Sequence, residues 1–151
     1  MTIEEKKQEL DEIAQEIRDF KGLEIANNCL NAVPGEGDPD AKIVFIGEAP
    51  GADEDAQGRP FVGRSGQLLR NTIIESNIKI DKVFITNIVK YRPPENRDPS
   101  PEEIEICSDW LNRQIQIIEP ATIVTLGRFS MAKFLPDAKI SQIHGKGQEI
   151  E

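Results

Sequence analysis

The 151-residue chain is poor in cysteine, has one histidine, and sets only 18 lysines and arginines against 27 acidic residues. Each shortage excludes something. Two cysteines, Cys29 and Cys107, do not make a disulfide framework and fit a reducing compartment. No apolar run is long enough to cross a bilayer and no signal-peptide pattern follows Met1, so the sequence predicts a soluble, cytoplasmic protein without membrane partners. A Gly-Lys-Ser/Thr phosphate loop is also missing, which argues against a phosphate-handling enzyme built on a metal at Asp53, Glu54 and Asp55. The net charge of −9 has the wrong sign for a protein that leans on phosphate contacts. Its distribution softens that objection: the acidic excess falls largely in the N-terminal segment and in Glu102 to Glu105. Arg59, Arg64, Lys90, Arg92 and Arg97 come from loops that flank the informative stretch, so weak, salt-sensitive contact with a polyanion is the expectation.

The length suits one domain, residues 1–151, large enough to bury a core. Leu10, Ile13, Ala14, Ile17 and Phe20 recur at helical spacing, predicting an amphipathic helix over 3–20. Pro34, Gly35, Gly37 and Pro39 mark the segment 27–41 as loop. Three short apolar runs, Ile43 to Ile46, Lys82 to Val89 and Ala121 to Leu126, read as buried strands. Helices separate them. One runs from about Gly66 to Glu75. A second starts at Ser100, with Pro101 at its first position and Glu103 completing a capping box, and Pro120 ends it. Along it Ile104, Cys107, Leu111, Ile115 and Ile118 form a buried stripe, which makes Cys107 a core residue. A short third helix follows Gly127. Strands alternating with helices predict a three-layer α/β/α fold around a mostly parallel sheet. Glu48, Asn87 and Gly127 then fall at strand C-terminal ends, where open α/β sheets bind ligands.

The most informative stretch runs from Gly47 to Gly66. Gly47-Glu48-Ala49-Pro50-Gly51 forces a sharp exit from the first strand and leaves the Glu48 carboxylate at its mouth. Further on, Phe61 sits on a glycine-rich loop. Gly63 and Gly66 permit close approach of backbone, and a helix beginning near Ser65 aims its free N–H groups at the same place, favouring an anion. Read singly, Phe61 is equally a packing residue, Asn87 a turn cap and Glu54 one of a run of solvated charges.

As a whole, the string from Gly47 to Gly66 resembles the first active-site motif of the family-four uracil-DNA glycosylases. Ile85-Thr86-Asn87-Ile88-Val89-Lys90, Arg92 to Pro99 and Ile123 to Gly127 match further motifs in order, and the resemblance spans roughly Val33 to Gly145. It implies an enzyme that flips uracil out of single- or double-stranded DNA and hydrolyses its N-glycosidic bond, acting as a monomer in base excision repair. Phe61 would stack on the uracil ring. The Asn87 carboxamide would donate to O4 and accept from N3–H, contacts that cytosine inverts. Backbone N–H groups about Glu48 and Ala49, with Gly47 beside them, would hold the departing uracil. Glu48 would order or activate the attacking water, although Ala49 stands where the best-known glycosylases carry Asp. Glu54 falls at the pocket wall, and Arg64, Ser65 and Gly66 at a DNA phosphate.

Two departures accompany the match. The family holds a four-iron, four-sulfur cluster on four cysteines, but Tyr91 stands at the third ligand position and only Cys29 and Cys107 are near the others, so no cofactor and no metal are expected. The family's His-Pro loop, whose His contacts uracil O2, has no counterpart before Glu151. His144 lies ahead of that position and is read as a backbone or phosphate contact at most. The competing expectation is a catalytically impaired homologue that binds uracil or single-stranded DNA without cleaving it.

Overall fold

The computed structural model describes residues 1–137, 145–147 and 149. His144 lies outside the described residues. A four-stranded sheet has the order β1-β3-β2-β4, where β1 is Glu36–Gly37, β2 Ile43–Gly47, β3 Val83–Asn87 and β4 Thr122–Thr125. β2 pairs in parallel with β3 on one side and β4 on the other, and β1 adds an antiparallel edge. That edge falls inside the segment read as loop; two residues carry no periodicity for a sequence to show.

Alternation along the strands sends side chains to two faces. Val44, Ile46 and Phe84 pack with Leu10, Ile13 and Ile17 of α1 (Ile3–Asp19) and with Cys107, Leu111 and Ile118 of α5 (Pro101–Ile118). Ile25 and Ala26 of the short helix α2 (Glu24–Asn28) join this side. Phe45, Val83 and Ile85 face the other way, onto Ile73 of α4 (Arg64–Glu75). The layers are therefore α/β/α, as the sequence predicts. α3 (Ala52–Gln57) lies in the loop after β2, and α6 (Arg128–Phe134) follows β4.

The capping box of α5 forms as expected: Ser100 Oγ accepts from Glu103 N at 3.2 Å and Glu103 Oε1 accepts from Ser100 N at 2.8 Å. Cys107 is fully buried. α3 was not foreseen, because three consecutive acids suggest a solvated loop. In fact the Glu54 carboxylate accepts the Gly51 N–H at the helix start, and Asp55 is buried and accepts from the amides of Leu30 and Asn31. Among the described residues no helix is long and apolar enough to cross a membrane.

Because α4 and α5 cover opposite faces, the connections leaving β2 and β3 diverge and open a crevice at the C-terminal ends of the strands. Beneath it lies a buried amine. Lys90, read from the sequence as a loop cation near the site, is 0 % exposed. Its Nζ donates to Thr86 Oγ1 at 2.6 Å, Asn87 O at 2.8 Å and Gln114 Oε1 at 2.9 Å. Thr86 and Gln114 in turn donate to Pro34 O, so β3, α5 and the segment before β1 meet at one lysine amine.

Burial drives the Lys90 amine down from 10.5 to about 7, against the pull of Cys107 and with that of Lys133. The folded chain thus releases a proton that the unfolded chain still holds, so this group makes stability rise as pH climbs from about 7 toward 10.5. Urea unfolding of the parent and of Lys90→Met should show a difference that shifts in the parent's favour by about 1.5 kcal/mol between pH 7 and about 8.5. Parallel pH slopes for the two proteins would contradict a desolvated Lys90.

Candidate active site

The crevice is built where β2 and β3 end side by side. Gly47 and Asn87 are register partners, and the pairing continues beyond the strands through Ile88 N to Gly47 O at 2.9 Å and Val89 N to Glu48 O at 3.0 Å. A side chain at Gly47 would lie 2.5 Å from both Asn87 Oδ1 and Phe61 Cζ. The absence of one lets an aromatic ring and a carboxamide converge on the same strand end. Asn87 is 2 % exposed. Its carboxamide makes no hydrogen bond among the described residues and yet is not one of the fully enclosed polar groups without a partner, so it keeps an opening to the crevice. Its backbone carbonyl is fixed by Lys90 while its amide end stays available.

Glu48 takes the opposite flank. Its side chain lies against Gly127, close enough that a methyl group there would overlap Oε1. Burial and then the Asp98 charge push its carboxyl above the ordinary value, while Arg128 and the amides of Phe129 and Arg128 at the start of α6 oppose them. Asp98 and Arg128 pair at 2.8 Å across this flank. Between Glu48, Ala49, Pro50 and Gly51 and the Pro-rich segment Pro93, Asn96 to Pro99 lies a cavity of about 120 Å³. At ~30 Å³ per molecule it has room for a few waters.

Glu54 is not a free pocket carboxylate. Oε2 accepts from Val62 N at 2.9 Å and Gly63 N at 2.7 Å, and Oε1 accepts from Gly51 N at 3.0 Å. Burial works to raise its carboxyl, but the amides of Gly63, Val62 and Gly51 prevail and hold it below the ordinary value. Gly66 likewise serves the protein itself, because a Cβ there would overlap the main chain of Phe61. Arg64 and Ser65 are exposed at the N-terminus of α4, which has no side-chain cap and no acid in its first turn.

The supply of cations is smaller than the sequence suggests. Lys90 is buried, Arg59 forms two 2.8 Å bonds with Glu36, and Arg97 does the same with Glu103 at 2.9 and 2.8 Å. Arg64 and Arg92 are the members of that set without a carboxylate partner among the described residues. Sequence reasoning also missed Arg70, Gly127 as the floor for Glu48, and the Asp98 to Arg128 pair. The only signal for the last was an Arg immediately after the strand-end Gly127.

The four-iron cluster does not fit these residues. The Tyr91 hydroxyl donates to Ile17 O at 2.6 Å, and its ring meets Trp110 edge-on at 6.2 Å, while Trp110 meets Phe20 at 5.1 Å. Cys107 is pushed up by burial and faces the Lys90 backbone N–H, and Cys29 Sγ donates to Ala26 O. Aromatic packing and a hydrogen bond to α1 thus occupy the neighbourhood, and two thiols cannot supply four ligands. Protein prepared anaerobically should carry no stoichiometric iron or sulfide and no broad absorption near about 400 nm. One cluster per chain would contradict the fit.

Comparison with known proteins agrees on one family. The family model described as the uracil-DNA glycosylase superfamily matches residues 34–150. A type-4 uracil-DNA glycosylase of Archaeoglobus fulgidus is 46% identical over 148 residues, covering 94% of this chain and 74% of that protein. One from Thermotoga maritima is 44% identical over 146 residues, 96% of this chain and 76% of the relative. One from Sulfurisphaera tokodaii reaches 54% over 122 residues, but the chain covers only 56% of its length.

Proposed function

Since the chain belongs to the uracil-DNA glycosylase superfamily and groups there with the type-4 enzymes, we propose that it excises uracil from DNA, the first step of base excision repair. The observation that carries this reading is the convergence on the side-chain-free Gly47 of the Phe61 ring and the Asn87 carboxamide, which has no partner among the described residues. A base inside a duplex cannot reach such a crevice, so the nucleotide must be extruded. Phe61 then supplies a stacking face, a contribution of about 1–3 kcal/mol. Asn87 Nδ2 donates to O4 and Oδ1 accepts from N3–H. Cytosine presents an amino donor and a bare ring nitrogen at those places, and leaves both contacts mismatched in a fixed amide.

Hydrolysis joins a water oxygen to the sugar C1′ and sends the bonding electrons to uracil N1. Main-chain N–H groups at the turn after Gly47, around Glu48 and Ala49, stabilise the negative charge that develops on the base. Glu48 sits beside a cavity of water-holding size, and its carboxylate suits it to orient or deprotonate the attacking water. Glu54 forms the pocket wall indirectly by holding the loop that carries Phe61. Arg64, Ser65 and the uncapped start of α4 suit a DNA phosphate, with Gly66 allowing the loop to lie close. No step runs through an iron–sulfur cluster.

Base release from matched uracil and cytosine oligonucleotides tests the reading. Asn87→Ala should cut uracil release about 10-fold or more without gaining cytosine, since the edge goes unread. Asn87→Asp should lose uracil and gain some action on cytosine, because a carboxylate accepts from the amino group and, when protonated, donates to N3. Retention of the parent preference by Asn87→Ala would remove Asn87 as the specificity residue. Uracil binding without any base release by the parent chain would favour the binding-only homologue.

A further inference from the structure

Phe61 stands in the left-handed backbone region, at φ 51. An aromatic residue there is strained and keeps that conformation only if its surroundings impose it. Two charged side chains grip the loop. From α4, Arg70 Nε donates to Phe61 O at 2.8 Å and Arg70 Nη2 donates to Pro60 O at 2.7 Å. The same Nη2 lies 3.3 Å from Glu36 Oε2, and the Glu36 carboxylate also takes the two Arg59 bonds, so β1 backs the grip. From α3, Glu54 holds the next two amides, Val62 and Gly63.

The Arg70 side chain is 17% exposed and bonds two consecutive carbonyls with its fork, a geometry that no lysine ammonium reproduces. Its position is nine residues beyond Phe61 in sequence. It is not among the residues that line the cavity beside Glu48. Among the described residues every side-chain hydrogen bond it makes goes to the main chain of Pro60 and Phe61 or to the carboxylate that anchors it.

We propose that Arg70 is a positioning residue for base recognition, whose guanidinium fixes the strained Phe61 backbone so that the ring edge lies against Gly47 and Asn87. This rests on the reading of Phe61 as the stacking face. The role separates from ordinary stabilisation because it acts through one residue. Removing the clamp matters only while the ring it aims is present.

The test is a double-mutant cycle on the full chain. Affinity is measured by fluorescence anisotropy for a short single-stranded oligonucleotide with one 2′-fluorinated uridine, which resists cleavage, and for its thymidine counterpart. Phe61→Ala should weaken the uridine oligonucleotide about 10-fold, within the range of one lost base stack. Arg70→Met should weaken it about 5- to 10-fold in the parent but less than about 2-fold in the Phe61→Ala background. Arg70→Lys, which keeps the charge but not the fork, should fall between parent and Arg70→Met. Equal losses from Arg70→Met in both backgrounds would overturn the positioning role while leaving the stacking role intact. An unchanged affinity in Phe61→Ala would instead remove the stacking reading and the proposal with it. Should Arg70→Met fail to fold, the Arg70→Lys arm of the cycle decides by the same criterion.

Discussion

The in-register parallel pairing of β2 with β3 is the constraint on which the rest depends, because it sets Gly47 opposite Asn87 at the end of both strands. A slip of one residue would turn every side chain to the other face and bring Thr86 or Ile88 to the place of the carboxamide. Burial of the sheet on both sides forbids that slip: Val44, Ile46 and Phe84 are committed to α1 and α5, and Phe45, Val83 and Ile85 to α4. Lys90 adds a polar lock by binding Thr86 Oγ1 and Asn87 O at once. The packing that stabilises the sheet therefore also places the group that would read the base.

Charge in this chain works chiefly within the fold. Arg59, Arg70 and Arg97 meet carboxylates at Glu36 and Glu103, Lys90 is buried, and Glu54 and Asp55 hold backbone amides. With a net charge of −9, little cationic surface is left near the crevice beyond Arg64 and Arg92. Under the proposed function, recognition would draw on the base itself, through stacking and edge hydrogen bonds, more than on the phosphate backbone. Such a balance suits a protein that samples DNA without holding it.

The strands and the long helix α5 were legible because their cues are local: short apolar runs, those of β2 and β4 closed by glycine, and a Ser-Pro-x-Glu start with an apolar stripe behind it. Glu48 and Asn87 were placed correctly at strand ends for the same reason. What escaped the sequence is what contacts between distant residues decide. Lys90 looks like any basic residue before a Pro-rich loop until Gln114, on a helix that follows, provides an acceptor. Glu54 looks like one acid of three until Val62 and Gly63 present their amides. Arg70, on the α4 face turned to the loop, is distinguishable from a surface arginine only once the carbonyls of Pro60 and Phe61 are in place. The β1 edge needed its partner in β3 to be a strand at all.

The central claim is that an unpartnered carboxamide beside an aromatic ring distinguishes uracil from cytosine. Its most direct measurement is the side-chain NH₂ resonance pair of Asn87 in a nitrogen-15 correlation spectrum, followed as free uracil and then free cytosine are titrated into the protein. Uracil should shift that pair together with the backbone amide of Val62, next to Phe61, and cytosine should leave the Asn87 pair in place at the same concentration. Equal shifts with both bases, or an Asn87 pair that stays still while uracil perturbs other residues, would contradict it.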